Sequence, residues 1–98
     1  MATQSIDRRV RSIKALAHPA RLQIVQALED GPRCVSELQA MVGSDMSTVS
    51  KHLVLLREAG WVSCEKTGLQ VHYRLACVCL ATFLRCIDSL DSPDSGCC

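Results

Sequence analysis

Apolar residues recur early in the chain at Ile6, Val10, Ile13 and Leu16, a spacing that traces one stripe of an amphipathic helix. His18-Pro19 interrupts it, because proline disfavours helix in the residue before it and suits a first helical position. Leu22, Ile24, Val25 and Leu28 then form the apolar side of a second helix, closed by Asp30-Gly31-Pro32. A short third helix is expected from about Val35 to Val42, with Val35, Leu38 and Met41/Val42 inward. Gly43-Ser44-Asp45 breaks it, and Asp45 is a good N-cap for a fourth helix running from Met46 to about Ala59, with Gly60 as its C-terminal cap.

Beyond Gly60 the period changes from helical to two-fold. Val62 and Cys64 alternate with polar residues, as do Val71, Tyr73 and Leu75, around Thr67-Gly68. This predicts a β-hairpin with a basic, glycine-containing tip and Cys64 on its inward side. A last helix is expected from about Ala76 to Leu90, and Asp91 to Cys98 has the composition of a flexible tail. The pattern therefore predicts a mainly α fold with a small β-hairpin, one domain over residues 1–90 followed by a cysteine-containing tail over 91–98.

The face of the fourth helix is the first functional signal. At 100° per residue, Met46, Val49, Leu53 and Leu56 fall in a stripe roughly 80° wide. Ser47, Lys51 and Glu58 lie opposite, Thr48 and Ser50 flank them, and His52 is at the edge. Short hydroxyls beside a cation are what a helix end needs to meet base edges and phosphates in a major groove. The short helix and three-residue turn before it supply helix-turn-helix spacing. An ordinary helical hairpin with a solvated polar face has the same pattern, but the following hairpin adds Lys66, Thr67, Gly68 and Gln70 as a wing for backbone or minor groove.

Composition adjusts this picture. Ninety-eight residues make one domain whose core is marginal at that size, so a partner subunit is a natural source of further burial. The net charge of +1 gives no global argument for nucleic acid, but Arg8, Arg9, Arg11 and Lys14 cluster near the N-terminus, and Lys51, Arg57 and Lys66 fall in the reading segment. No run approaches the roughly 18–20 apolar residues of a membrane span, and Met1 to Arg11 lack an apolar signal core, so a cytoplasmic protein without membrane contact is expected. No histidine stands beside a candidate nucleophilic cysteine, and no carboxylate pair or phosphate loop appears, so no catalytic residues and no enzyme are expected.

Two runs carry a family resemblance. Leu16-Ala17-His18-Pro19-Ala20-Arg21-Leu22-Gln23-Ile24-Val25 resembles the second-helix signature of the ArsR/SmtB family of metal-responsive winged helix-turn-helix repressors. Ser47 to Gly60 is similar to that family's recognition helix almost residue for residue, and Val71-His72-Tyr73-Arg74-Leu75 resembles its returning wing strand. The resemblance covers about residues 5–90. It implies a homodimer on palindromic double-stranded operator DNA, joined through the first and last helices and released by an inducer. On this reading Ser47, Thr48, Ser50, Lys51, His52, Arg57, Lys66 and Gln70 contact DNA.

Seven cysteines are the compositional outlier, and with an odd count and no export signal they are expected as reduced thiols used for sensing rather than as a disulfide framework. The family's zinc sensors use histidines and carboxylates of the last helix, but His18, His52 and His72 all lie outside it. The family's arsenic-responsive type carries Cys-Val-Cys at the start of the third helix; here Cys34-Val35-Ser36 keeps one thiol, so Cys34 is expected as a small buried residue or weak cap.

The last helix offers Cys79 and Cys86, seven apart on one stripe, and the tail ends in Cys97-Cys98. Seven extended residues reach roughly 23 Å, so the tail can fold back along the helix. Trivalent arsenic takes three thiolates in a pyramid, and Cys97, Cys98 and one of Cys86 or Cys79 meet that need; antimony or an organoarsenical behaves alike. Cys79 and Cys86 as small hydrophobes in a dimer interface remain open. So do thiol-based redox or persulfide sensing on the same fold and metal storage through the tail.

Overall fold

A computed structural model describes residues 2–90, with side chains from Ser5 onward. The first helix, α1 (Ala2–Leu16), is followed by α2 (Pro19–Ala27) and a single 3-10 turn, Leu28–Asp30. His18 starts α2 from an extended conformation, its Nδ1 accepting the Ala20 N–H at 3.1 Å, with Pro19 in the first turn. A two-residue strand, β1 (Arg33–Cys34), leads into α3 (Val35–Val42). Gly43 closes α3 in the left-handed region at φ 83°, where a side chain would be strained, and its N–H reaches the Gln39 carbonyl at 2.8 Å. After three residues α4 (Met46–Glu58) begins.

The strands β2 (Val62–Thr67) and β3 (Gln70–Leu75) form the hairpin, turning through Gly68-Leu69 with Gly68 at φ 64°. The sheet has three strands in the order β1-β3-β2, because Arg33 pairs with Tyr73 and Cys34 with His72 on the other edge of β3. Two residues are too few to show alternation, which is why the sequence pattern predicts only the hairpin.

The core gathers Leu16, Ile24, Val25, Leu28, Leu38, Val49, Leu53, Leu56, Val62 and Leu80 from every helix and from β2. Within α3, Leu38 is buried and Val35 and Val42 pack at the margin, whereas Met41 points outward. Trp61 ties α1 to the start of the hairpin by donating its Nε1–H to the Ser12 carbonyl at 2.7 Å.

Two expectations need correction. The last helix, α5 (Leu80–Ser89), starts four residues later than the apolar pattern implies. The Ala76 N–H is still held by the Trp61 carbonyl at 2.9 Å, and Leu80 N–H closes a turn onto the Cys77 carbonyl at 3.2 Å, so the chain is pinned to the sheet until then. Cys79 therefore caps the helix instead of lying within it. Cys64, expected inward, is exposed, because only Val62 at the base of β2 reaches the core and the hairpin then extends away from it.

Along α1, Ile6 and Ile13 are more than half exposed at 55% and 56%, and on α5 Phe83, Ile87 and Leu90 are exposed as well. Between these helices and α2 lies a concavity of about 430 Å³ lined by Ile13, Leu16, Leu22, Phe83 and Ile87. The apolar stripe of α1 is thus largely uncovered in the single chain.

Candidate nucleic-acid interface

The polar face of α4 stands at the surface. Ser47 and Lys51 are exposed, Thr48 and Ser50 half-buried, while Val49, Leu53 and Leu56 are wholly buried on the other side. Asp45 enters the helix from an extended conformation, and its carboxylate accepts the Ser47 hydroxyl at 2.8 Å. The Thr48 hydroxyl, then that of Ser47, hold the Asp45 carboxyl below the ordinary carboxylate range. The first turn of α4 is thereby ordered before anything docks on it.

His52 requires correction. It is 9% exposed and faces inward, where its Nδ1 accepts the Arg21 Nε–H at 3.2 Å and its ring lies 4.6 Å from that of His18. At 100° per residue it extends the apolar stripe by one further step, so the inward face of α4 is wider than its aliphatic residues alone indicate. His52 is a packing residue between α2 and α4, and not part of the exposed face.

Burial, then the neighbouring His18 and Arg21, lower the His52 pKa below the ordinary imidazole value. A histidine with a depressed folded-state pKa contributes its stability fully above the unfolded value near 6.5, and loses it as the pH falls below that value, because the unfolded chain then binds more protons. Urea midpoints measured at neutral and mildly acidic pH should fall more for the wild type than for His52→Leu. An equal fall in both would refute the assignment.

Arg57 and the wing residues lie where the sequence expects exposed groups. Arg57 is exposed and donates from Nη1 to Cys64 Sγ at 3.3 Å, a contact that raises its pKa and ties the end of α4 to β2. Lys66 and Gln70 are exposed near the hairpin tip; the register pairs Lys66 with Val71 and Gln70 with Thr67, which puts the two on opposite faces. Leu69, which the sequence pattern does not single out, is fully exposed at the turn.

The thiols are spread out. Cys34 is half-buried as the N-cap of α3; its N–H donates to Glu37 Oε1 at 3.1 Å and its Sγ lies 3.1 Å from Ser36 Oγ, as suits a weak cap. Cys79 is exposed and Cys86 half-buried. Seven residues of helix rise span about 10 Å, so one metalloid ion can take only one of these two. Among the described residues, no three Cys, His, Asp or Glu side chains come together to hold a metal. Cys97 and Cys98 lie outside the described residues.

A helical reading element after a three-residue turn, followed by a hairpin wing, is a winged helix-turn-helix. The family described as bacterial regulatory protein, arsR family, matches residues 18–63, from the cap of α2 into β2. A biofilm growth-associated repressor of Xylella fastidiosa is 34% identical over 79 residues, covering 76% of this chain and 69% of that protein. The chain belongs to the ArsR family. An arsenical resistance operon repressor of Escherichia coli is 40% identical over 68 residues, covering 68% of this chain and 58% of that protein. Among solved structures, the homodimeric winged helix-turn-helix DNA-binding domain of a possible ArsR-family regulator from Mycobacterium bovis superposes with a TM-score of 0.83 at 29% identity, covering 92% of this chain and 83% of that one. The chain spans about half the length of other ArsR-family relatives, such as 55% of the biofilm growth-associated repressor of Agrobacterium fabrum, which is 44% identical over 64 residues, or 65% of this chain. The proteins matched are named as repressors and regulators. No described helix is long and apolar enough to cross a membrane.

Proposed function

We propose that this ArsR-family chain is a cytoplasmic homodimeric transcriptional repressor, whose α4 enters the major groove of a double-stranded operator and which a thiophilic inducer, trivalent arsenic or a related metalloid, releases. The observation that carries the DNA reading is the division of α4 into a buried aliphatic side and an exposed side bearing Ser47, Thr48, Ser50 and Lys51. Phosphate contacts position such a helix and base-edge contacts give it specificity. The uncovered stripe of α1 and the exposed apolar residues of α5 supply the dimer surface, and the related Mycobacterium bovis domain is described as homodimeric.

The inducer reading rests on chemistry. No histidine stands on α5, so borderline zinc ligation there is disfavoured and the soft thiolates of Cys79 or Cys86 are what this helix offers. Neither alone satisfies a three-sulfur pyramid, and Cys97 and Cys98 complete it. Tying the tail to α5 favours a dimer geometry whose two reading helices no longer match the operator, provided the sulfur–metalloid bonds form better in that geometry.

The test is fluorescence anisotropy of the reduced protein on its preferred duplex, with a monothiol as reductant. Arsenite should release the duplex. Release by oxidant or polysulfide alone would replace the metalloid by redox sensing, and arsenic binding without release would indicate storage. In the same assay Lys51→Ala should weaken binding and lower the magnitude of the salt slope by about one. Unchanged affinity and slope would contradict the placement of α4 on the duplex.

A further inference from the structure

Beside α4 lies a second concavity that the reading above does not use. It measures about 280 Å³ and is lined by Arg11, Lys14 and Ala15 of α1, Arg21 of α2, and Leu55, Glu58 and Ala59 at the end of α4. Three cations face one carboxylate there, so the pocket keeps a charge of about +2 at neutral pH. Among the described residues the ion pairs are Arg33–Glu37 and Arg74–Glu65, neither of them in this pocket. Arg21 spends only two of its five donors internally, on His52 Nδ1 and the Ala15 carbonyl.

The pocket continues the reading face. Leu55 and Glu58 also line the groove that runs along the outside of α4 past Ser50, Lys51 and Val54. From Lys51 to Leu55 is one turn, about 6 Å along the axis. Its walls are of two kinds, with cations on α1 and α2 and apolar Ala15, Leu55 and Ala59 between them. That combination suits a ligand with anionic oxygens joined to an apolar ring.

We propose that this pocket seats a sugar–phosphate segment of the same duplex that α4 reads, the phosphate oxygens on Arg11, Lys14 and Arg21 and the deoxyribose against Leu55 and Ala59. The inference rests on the DNA reading and extends it: α1 becomes a backbone clamp on one side as well as a dimerisation helix on the other. On a helical wheel Arg11 and Lys14 are turned well away from Ile6 and Ile13, so one helix can serve both surfaces. Because Arg21 also holds His52, a phosphate in the pocket bears on the seat of α4 itself.

The double variant Arg11→Gln with Lys14→Gln tests this on the selected duplex and on an unrelated one. Two lost phosphate contacts should lower the magnitude of the salt slope by about two and weaken binding roughly ten- to hundred-fold at 0.1 M salt, on both duplexes alike. Glu58→Gln removes the opposing carboxylate and should tighten both several-fold, a gain that a merely structural role does not produce. An unchanged slope in the double variant overturns the proposal, while Lys51→Ala still weakening the wild-type complex leaves the DNA reading standing. Inorganic phosphate that perturbs Trp61 fluorescence saturably, where chloride at equal ionic strength does not, and only when Arg11 and Lys14 are present, overturns it too, since the pocket then holds a free anion. Absence of duplex binding by the wild type would remove the DNA reading and this inference with it.

Discussion

Replacing Cys97 and Cys98 together by serine is expected to leave duplex affinity unchanged and to abolish release by arsenite. The two thiols stand outside the winged helix-turn-helix, so the reading helix, the wing and the core remain intact without them. The metalloid loses two of its three sulfur ligands, and Cys79 and Cys86, about 10 Å apart along α5, cannot replace them together. Moving a dimer from almost wholly bound to almost wholly released takes a differential of about 5.5 kcal/mol, which a single thiolate contact does not supply. Cys34→Ser is the control: with Ser36 beside it where a second thiol is needed, its loss should leave induction unaltered. If the tail variant still responds to arsenite, the ligands lie elsewhere.

Leu53→Ala should cost about 2–5 kcal/mol of unfolding free energy. Leu53 is wholly buried at the centre of the inward face of α4, within the cluster that includes Ile24, Leu38 and Leu56. Truncation removes the transfer free energy of three carbons and leaves a cavity that α2 and α3 cannot close without moving the turn between α3 and α4. Val54→Ala, one residue along on a side chain that is 39% exposed, should change stability by far less, of order 0.5 kcal/mol. Urea unfolding at one fixed protein concentration compares the two, since dimerisation contributes to apparent stability. Equal losses would mean that the inward and outward sides of α4 are misassigned.

Much of this architecture is legible in the chain because its elements are long and strongly periodic. The four-three-three spacing of α1, the breaks at Pro19 and Gly43, and the change to two-fold alternation after Gly60 locate the helices and hairpin within a few residues. The failures have physical causes. Strand β1 is two residues long and owes its existence to pairing with β3, a tertiary contact without local pattern. The start of α5 is set by a hydrogen bond from Ala76 to Trp61 across the chain, not by the apolar run through Val78 and Leu80. His52 reads as polar and surface-bound until Arg21 and His18 are seen to surround it. Cys64 alternates as an inward residue should, yet the hairpin has already left the core at that height. The exposed side of α4 was legible because it depends only on helical phase, while the pocket behind it joins residues from three helices that no sequence window contains.

The most direct test is selection from a randomised pool of duplexes by the fully reduced, ligand-free protein. The account predicts enrichment of one two-fold symmetric sequence, with half-sites about 10–10.5 base pairs apart or a multiple of that spacing, and loss of the enrichment when Lys51 is replaced. A pool that emerges as random as it entered would contradict it.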